Sequence, residues 1–199
     1  MKTLFNNGWN FAELQIESNL MYNEKEPVLL QPESFLNKAE LLKYNKVTLP
    51  HDWMISNTNA LYRNSVGFYK KQFELSEEQI QNKHNAIRFE GVYMNSAVWI
   101  NGNLAGTWKY GYATFEFDIS DLVKAGTNEI LVIAVYQDCN TRWYSGAGIF
   151  RDVHFISTEK TFLVSDGTYI VNKKIDDTNW TTEISAEIAG QIDGHYVKT

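Results

Sequence analysis

The sequence predicts an all-β fold, a β-sandwich or jelly roll, on three observations. Apolar residues recur with a period of two, most clearly at Ile87 and Phe89, which alternate with charged residues. Aromatic residues form 14% of the 199 residues and proline occurs three times, a balance that favours strands. Helical patterns are few and short, chiefly at Glu33–Tyr44 and at a capping box over Ser76–Gln79. Many short strands with so little helix are typical of sandwiches.

Individual elements support this class. The segment Ser96–Ile100 reads as a strand ending at Asn101-Gly102, a dipeptide that favours a type I′ hairpin turn. Glu129–Tyr136 is apolar on both faces, which predicts a central strand in a sheet covered on both sides. Ser120–Gly126 resembles one capped helical turn closed by glycine. Two more alternating segments predict strands at Phe115–Ile119 and Val153–Phe155.

The character of the sequence changes near Glu159–Phe162. Beyond it lie three candidate strands, at Leu163–Val164, Thr168–Val171 and Thr182–Ala189. This stretch of about 37 residues is too short for a sandwich of its own, which takes about 100. We therefore expect one domain over 1–160 and the opening strands of a second β domain over 161–199, as in a piece of a longer protein.

Composition excludes several function classes. The net charge of −6 argues against binding to nucleic acid or to an anionic membrane surface. No apolar run is long enough to span a membrane, and the first residues do not resemble a secretory signal, so we expect a cytoplasmic protein. The single cysteine, Cys139, excludes an internal disulfide, and the four histidines are far apart. Gly146-Ala147-Gly148 lacks the remainder of a nucleotide-binding motif. We expect neither a metal nor a cofactor.

Polar and aromatic residues concentrate in three clusters, Leu49–Trp53, Trp108–Tyr112 and Arg142–Arg151. Saccharide sites combine aromatic faces with charged or amide groups that bind hydroxyls. Simpler interpretations stay open for each cluster. Asp52 could serve simply to cap a loop, and Arg142 and Arg151 could brace loops. Gly146 and Gly148 could be required by the backbone conformation. Trp53 and Trp143 could be core residues.

Taken together and in order, these segments resemble the N-terminal domain of glycoside hydrolase family 2, which includes β-galactosidases and β-glucuronidases. The resemblance covers about residues 5 to 155 and is strongest at Arg142–Arg151. The other matching segments are Phe5–Phe11, Leu49–Trp53, Phe89–Val92, Ala97–Gly102, Gly111–Phe115, Asp118–Leu122 and Gly126–Asn128.

The resemblance implies a jelly-roll sugar-binding domain, then an immunoglobulin-like domain that begins within 161–199, then a (β/α)8 barrel. Both catalytic glutamates of the family come from that barrel, so no catalytic residue is assigned in this chain. The resemblance further implies that Asp52 and Arg142 bind sugar hydroxyls, while Trp143 and Tyr144 form pocket walls. Some galactosidases carry an acidic residue near the position of Arg142, so that particular galactose contact does not carry over.

We therefore expect a fragment of a retaining β-galactosidase that is inactive by itself and acts on carbohydrate only together with the missing barrel. A β-glucuronidase fragment, a free-standing carbohydrate-binding module and a pure scaffold are the alternatives. Whether the full-length enzyme forms a homo-oligomer stays open.

Overall fold

Two antiparallel sheets form a β-sandwich, which confirms the predicted class. The computed structural model describes residues 1–16, 22–23, 26–27, 30–137 and 144–190, with backbone alone at 22–23 and 26–27. The four-stranded sheet has the order β1 (Lys2–Leu4), β12 (Val153–Glu159), β7 (Lys83–Phe89), β10 (Phe115–Asp118). The six-stranded sheet has the order β5 (Asn45–Val47), β2 (Trp9–Gln15), β6 (Ser65–Leu75), β11 (Gly126–Tyr136), β8 (Ser96–Ile100), β9 (Asn103–Trp108).

The remaining elements are short or lie after the sandwich. Tyr22–Asn23 (β3) pairs with Glu26–Pro27 (β4), and the 3-10 helices are Pro32–Lys38 and Thr58–Ala60. The described part of the chain has one α-helix, α1 (Glu77–Asn82), which opens with the predicted capping box of Ser76 and Gln79. A hairpin of β13 (Thr161–Lys174) and β14 (Trp180–Gly190) follows the sandwich. No described helix is long and apolar enough to cross a membrane.

Strand β11 is buried on both faces, as its sequence predicts. It lies between β6 and β8, with Val132 in the core between the two sheets and Ile133 in a second apolar cluster on the outer face. Phe35, Ala39 and Leu42 cover that outer face. A strand covered on both sides has no face for polar residues, which explains its continuous apolar run.

The structure matches some of the predicted turns and helices more closely than others. Asn101 (φ 50°) and Gly102 (φ 80°) form the predicted hairpin turn between β8 and β9. The helix expected over Glu33–Tyr44 is instead the 3-10 helix Pro32–Lys38, and the Tyr44 hydroxyl donates to the Ala39 carbonyl (2.8 Å) where the chain leaves it. The turn at Ser120–Gly126 is capped by Asp118, whose carboxylate accepts from the Ser120 amide.

Two of the strands predicted after the sandwich form a single strand of the hairpin. Leu163–Val164 and Thr168–Val171 both belong to β13, which a bulge interrupts between Leu163 and Thr168. In the bulge, Asp166 accepts from Arg88 of β7 (2.7 Å). Bulges re-aim side chains in this way, at the expense of strand regularity. Trp180 and Ile184 are exposed, and an isolated two-stranded sheet is marginally stable at best.

The covered outer face gives a first prediction. Ile133→Ala removes a fully buried side chain and should lower the free energy of unfolding by about 2–5 kcal/mol. Ile184→Ala, on the exposed hairpin, is the matched control and should change it by less than about 0.5 kcal/mol. Urea unfolding of both variants measures the difference, and equal small effects would mean that the outer face is open to water.

Candidate functional site

Three segments meet at one end of the sandwich and form what we call the loop junction, residues 49–54, 93–95 and 144–150. The backbone of His51 donates to Ile149 (2.8 Å) and that of Trp53 donates to Ala147 (3.2 Å). On the other side, Tyr93 and Gly148 exchange two backbone hydrogen bonds of 2.9 and 2.7 Å. The segment 147–149 is therefore held on both sides, like a short strand.

Gly148 has room for no side chain. Its φ is +113°, and a Cβ there would lie 2.3 Å from the Tyr69 hydroxyl oxygen and 2.7 Å from the His51 carbonyl oxygen. Both the positive φ and the close approach require glycine. The interpretation that this glycine serves backbone geometry is therefore supported at Gly148.

The Asp52 carboxylate joins two of the segments. Its Oδ1 accepts from the backbone amides of Met54 (2.9 Å) and Ala147 (3.1 Å). Its Oδ2 accepts from the hydroxyl of Tyr144. Since a carboxylate oxygen has two lone-pair sites, Oδ1 is fully used and Oδ2 keeps one site. The loop-capping role considered for Asp52 is present, and one acceptor position remains.

Tyr144 is half-buried and acts as the donor to Asp52. Burial and the hydrogen bond to the Asp52 carboxylate both raise the pKa of the Tyr144 hydroxyl above its usual range. The hydroxyl therefore stays protonated at neutral pH. Gly146 helps to keep Asp52 open, because a Cβ there would lie 3.1 Å from Oδ2.

Beneath these residues the half-buried His51 pairs with the buried Tyr69. The Nδ1 atom of His51 is 2.9 Å from the Tyr69 hydroxyl. Burial lowers the pKa of His51, an effect that the charge of Asp52 opposes, and burial raises the pKa of Tyr69. Both groups are therefore neutral near pH 7.

Trp53 is a core residue, as one interpretation of its sequence held. Its side chain is 1% exposed, its indole N–H donates to Ser65 Oγ (2.9 Å), and its ring stacks on Phe11. Gly67 lies under it, since a Cβ at Gly67 would be 2.4 Å from the indole ring.

Two arginines brace the junction. Arg63 binds both carboxylate oxygens of Glu13 (2.7 and 3.2 Å) and the Trp53 carbonyl (2.9 Å). Arg151 donates to the carbonyls of Glu90 and Tyr112. Sequence reasoning assigned a bracing role to Arg151 as an alternative, but it missed Arg63. No local signal pairs Arg63 with a glutamate fifty positions away.

An aromatic surface adjoins the junction. Tyr112 donates to the Ser145 carbonyl (3.1 Å), and Tyr110, with 64% of its surface exposed, lies edge-on to Tyr112. These rings add apolar faces to the surface around Ser145, next in sequence to Tyr144, which binds Asp52. Such a combination suits a ligand that has both C–H faces and hydroxyl groups.

The structure brings together Asp52 and Tyr144 of the four predicted sugar-binding residues. Arg142 and Trp143 lie outside the described residues, as does Cys139. Within the described ranges, no three His, Cys, Asp or Glu side chains are grouped so that they could hold a metal ion.

Comparison with known proteins identifies the family. Residues 3–159 match the family described as glycosyl hydrolases family 2, sugar binding domain. The chain belongs to glycoside hydrolase family 2. A beta-galactosidase of Bacteroides ovatus, BoGH2A, is 32% identical over 157 residues, which span 73% of this chain and 18% of that protein. A beta-glucuronidase of Bacteroides fragilis is 33% identical over 149 residues, which span 65% of this chain and 21% of that protein.

Solved structures agree with this assignment. A beta-glycosidase from Bacteroides vulgatus superimposes with a TM-score of 0.74 at 26% identity, over 96% of this chain and 24% of that protein. The chain thus spans about a fifth of the length of the curated family 2 relatives named here. The expected membership in family 2, and with it the jelly-roll sugar-binding domain, is confirmed.

The role of Asp52 as a link between loops can be tested by a double-mutant cycle. Tyr144→Phe should cost about 1 kcal/mol of unfolding free energy, because the half-buried bond is partly screened by solvent. Asp52→Ala should cost about 2–3 kcal/mol, since two backbone amides lose their acceptor. In the Asp52→Ala background, Tyr144→Phe should cost almost nothing, and urea unfolding gives the coupling. Strictly additive effects would contradict the link, and Tyr169→Phe on the exposed hairpin is the control.

The half-buried His51 predicts a pH dependence of stability. The pKa of His51 in the folded state lies below the value of about 6.5 for an unfolded histidine. The contribution of His51 to the free energy of unfolding is therefore complete above about pH 6.5 and is lost as the pH falls through the folded-state pKa. Urea midpoints at about pH 7.5, 6.5 and 5.5 should therefore fall more steeply for the wild type than for His51→Gln. Glutamine keeps a polar partner for Tyr69 but does not titrate. If the urea midpoints of the two proteins fall equally with pH, His51 is not the group that causes the pH dependence.

Proposed function

We propose that this chain is the first part of a retaining β-galactosidase, and that the loop junction forms one side of its sugar pocket. In this proposal Asp52 accepts a sugar hydroxyl at the open position of Oδ2, Arg142 binds a second hydroxyl, and Trp143 and Tyr144 form walls. The two catalytic carboxylates come from the barrel domain that the family resemblance implies, so the chain alone does not hydrolyse glycosides.

The observation that carries the choice of galactoside is the open carboxylate oxygen of Asp52. A carboxylate accepts hydrogen bonds from neutral hydroxyls, whereas it repels the carboxylate of a glucuronide. The two bracing arginines, Arg63 and Arg151, are already engaged with Glu13 and with backbone carbonyls. A similarity to BoGH2A, a beta-galactosidase, supports the same choice.

A β-glucuronidase is the second candidate. The relative from Bacteroides fragilis favours it, and Arg142 would then supply the cation for the sugar carboxylate. We further propose that the hairpin β13–β14 opens an immunoglobulin-like domain over 161–199. Its exposed apolar side chains, such as Ile184, support this boundary because they need the rest of a sandwich to cover them.

Parallel assays on the full-length enzyme test the choice of substrate. The chromogenic substrates are 4-nitrophenyl β-galactoside and 4-nitrophenyl β-glucuronide, with the 199-residue chain assayed beside the enzyme. We expect kcat/KM to be at least about a hundredfold higher for the galactoside, a preference of roughly 3 kcal/mol, and no release of nitrophenol by the isolated chain.

A preference for the glucuronide would replace the galactosidase with the second candidate. Hydrolysis by the pure isolated chain would contradict the assignment of the catalytic carboxylates to another domain. A full-length protein that hydrolyses neither glycoside but binds sugars would favour the carbohydrate-binding module.

A further inference from the structure

A second polar groove lies on the outer face of the six-stranded sheet, far from the loop junction. It consists of two adjoining open cavities of about 490 and 260 Å³ that share Glu129. The groove lies toward the Asn101-Gly102 turn, whereas the loop junction lies at the opposite ends of the same strands, near Ser65 and Tyr136. The larger volume falls within the range of about 300–1,000 Å³ that is typical of small-ligand sites.

Three neighbouring strands present polar side chains to this groove. Asn10 of β2 is paired with Lys70 of β6, and Gln72 of β6 is paired with Glu129 of β11. Directly paired residues share a face of the sheet, and residues two apart on one strand do so as well. Asn10, Lys70, Gln72 and Glu129 therefore form one contiguous polar patch. We call this patch, together with the residues of its wall, the outer groove.

Three of these side chains are free to bind a ligand. Within the described part of the chain, the side chains of Asn10, Gln72 and Glu129 make no hydrogen bond and no ion pair. Asn10 and Glu129 are half-buried, so they have lost part of their access to water without gaining a protein partner. Free amide and carboxylate groups on adjacent strands offer both donors and acceptors to the same ligand.

The wall of the outer groove is apolar and aromatic. Tyr44 and Leu36 stand above the sheet, and Trp99 and Leu131 form the buried base beside Glu129. The Tyr44 hydroxyl is used by the Ala39 carbonyl (2.8 Å), so its ring acts mainly as a surface. A pyranose needs this pairing of a ring that packs on C–H groups with polar groups that bind its hydroxyls.

The charges in the outer groove nearly cancel. Lys70 forms an ion pair with Glu40 and lies 5.2 Å from the centre of the Tyr44 ring. Glu129 is an unpaired anion, and Lys71 also borders the groove. A balanced set of charges disfavours a strongly anionic or cationic ligand and suits a neutral one.

We propose that the outer groove is a binding site for a neutral saccharide, separate from the loop junction. Glu129 and the two amides of Asn10 and Gln72 bind its hydroxyls, while Tyr44 and Leu36 pack on its apolar face. The proposal does not depend on which glycoside the enzyme hydrolyses, because no residue of the loop junction takes part. Such a site would hold the enzyme on a carbohydrate chain while another part of that chain reaches the pocket.

Titration of the isotope-labelled 199-residue chain with lactose, followed by two-dimensional amide NMR, tests the proposal. We expect saturable shifts at the backbone amides of Asn10, Lys70, Gln72 and Glu129, with a Kd of about 1 mM. Glu129→Gln should weaken binding about tenfold and Gln72→Ala about threefold. Gln72 is exposed, so its replacement leaves folding intact. Gln81→Ala, an exposed glutamine of α1, is the matched control.

Two further experiments distinguish binding at the outer groove from binding at the loop junction and from simple charge attraction. Asp52→Asn should leave the shifts at the outer groove unchanged, and glucuronate should bind there more weakly than lactose. The proposal is wrong if lactose shifts only amides of the loop junction, or if no amide of the outer groove responds in a saturable way. It is also wrong if Glu129→Gln and Gln72→Ala both bind lactose as the wild type does, or if glucuronate binds as tightly as lactose.

Discussion

The Asp52 carboxylate is the interaction on which the arrangement of the loop junction depends. One side chain accepts from backbone amides on both sides of the junction and from the Tyr144 hydroxyl. Without it, the segments 49–54 and 144–150 would share only two backbone hydrogen bonds, those of His51 and Trp53. Because the hydrogen bonds of the Asp52 carboxylate are short-range and directional, they also set the orientation of the Tyr144 ring. In our proposal, loop bracing and ligand binding are two uses of the same carboxylate.

The sandwich underneath makes this arrangement rigid. Trp53 packs over Gly67 and Phe11 in the core, so the loop segment that follows Asp52 cannot move without opening a cavity. Gly148 is pressed between Tyr69 and His51 from the other side. The junction thus rests on a layer of packed rings, of which His51 and Tyr69 are neutral at physiological pH because burial disfavours their charged forms. A rigid base of this kind suits the contact with a second domain that we propose for this surface.

Sequence patterns predicted β7, β8, β10, β11 and β12, since period-two alternation and the doubly apolar β11 report burial directly, but they predicted no strand at β1, β2, β5 or β6. They were also sufficient for the Asn101-Gly102 turn, whose positive φ values need those residue types. They failed where a distant contact decides the outcome. In the bulge of β13, Asp166 binds Arg88, 78 positions earlier, and the Arg63–Glu13 pair joins two segments of unrelated sequence.

The same limit applies to the site. The Asp52 and Tyr144 segments could be chosen from sequence because charged and aromatic residues cluster there, but the bond between them spans 92 positions and has no local signal. The outer groove has even less local signal, because its polar residues come from three strands and no short motif contains more than one of them. Strand register, not residue type, creates that patch.

The most direct test of this account is a crystal structure of the full-length enzyme with galactose bound. The account predicts a sugar hydroxyl oxygen within about 2.5–3.0 Å of Asp52 Oδ2, with the Tyr144 ring against the sugar and the bond from Tyr144 to Asp52 retained. A well-ordered galactose in the pocket with no oxygen closer than about 5 Å to Asp52 would contradict it. Asp52 would then be a loop brace alone, and the sugar contacts would belong to other residues.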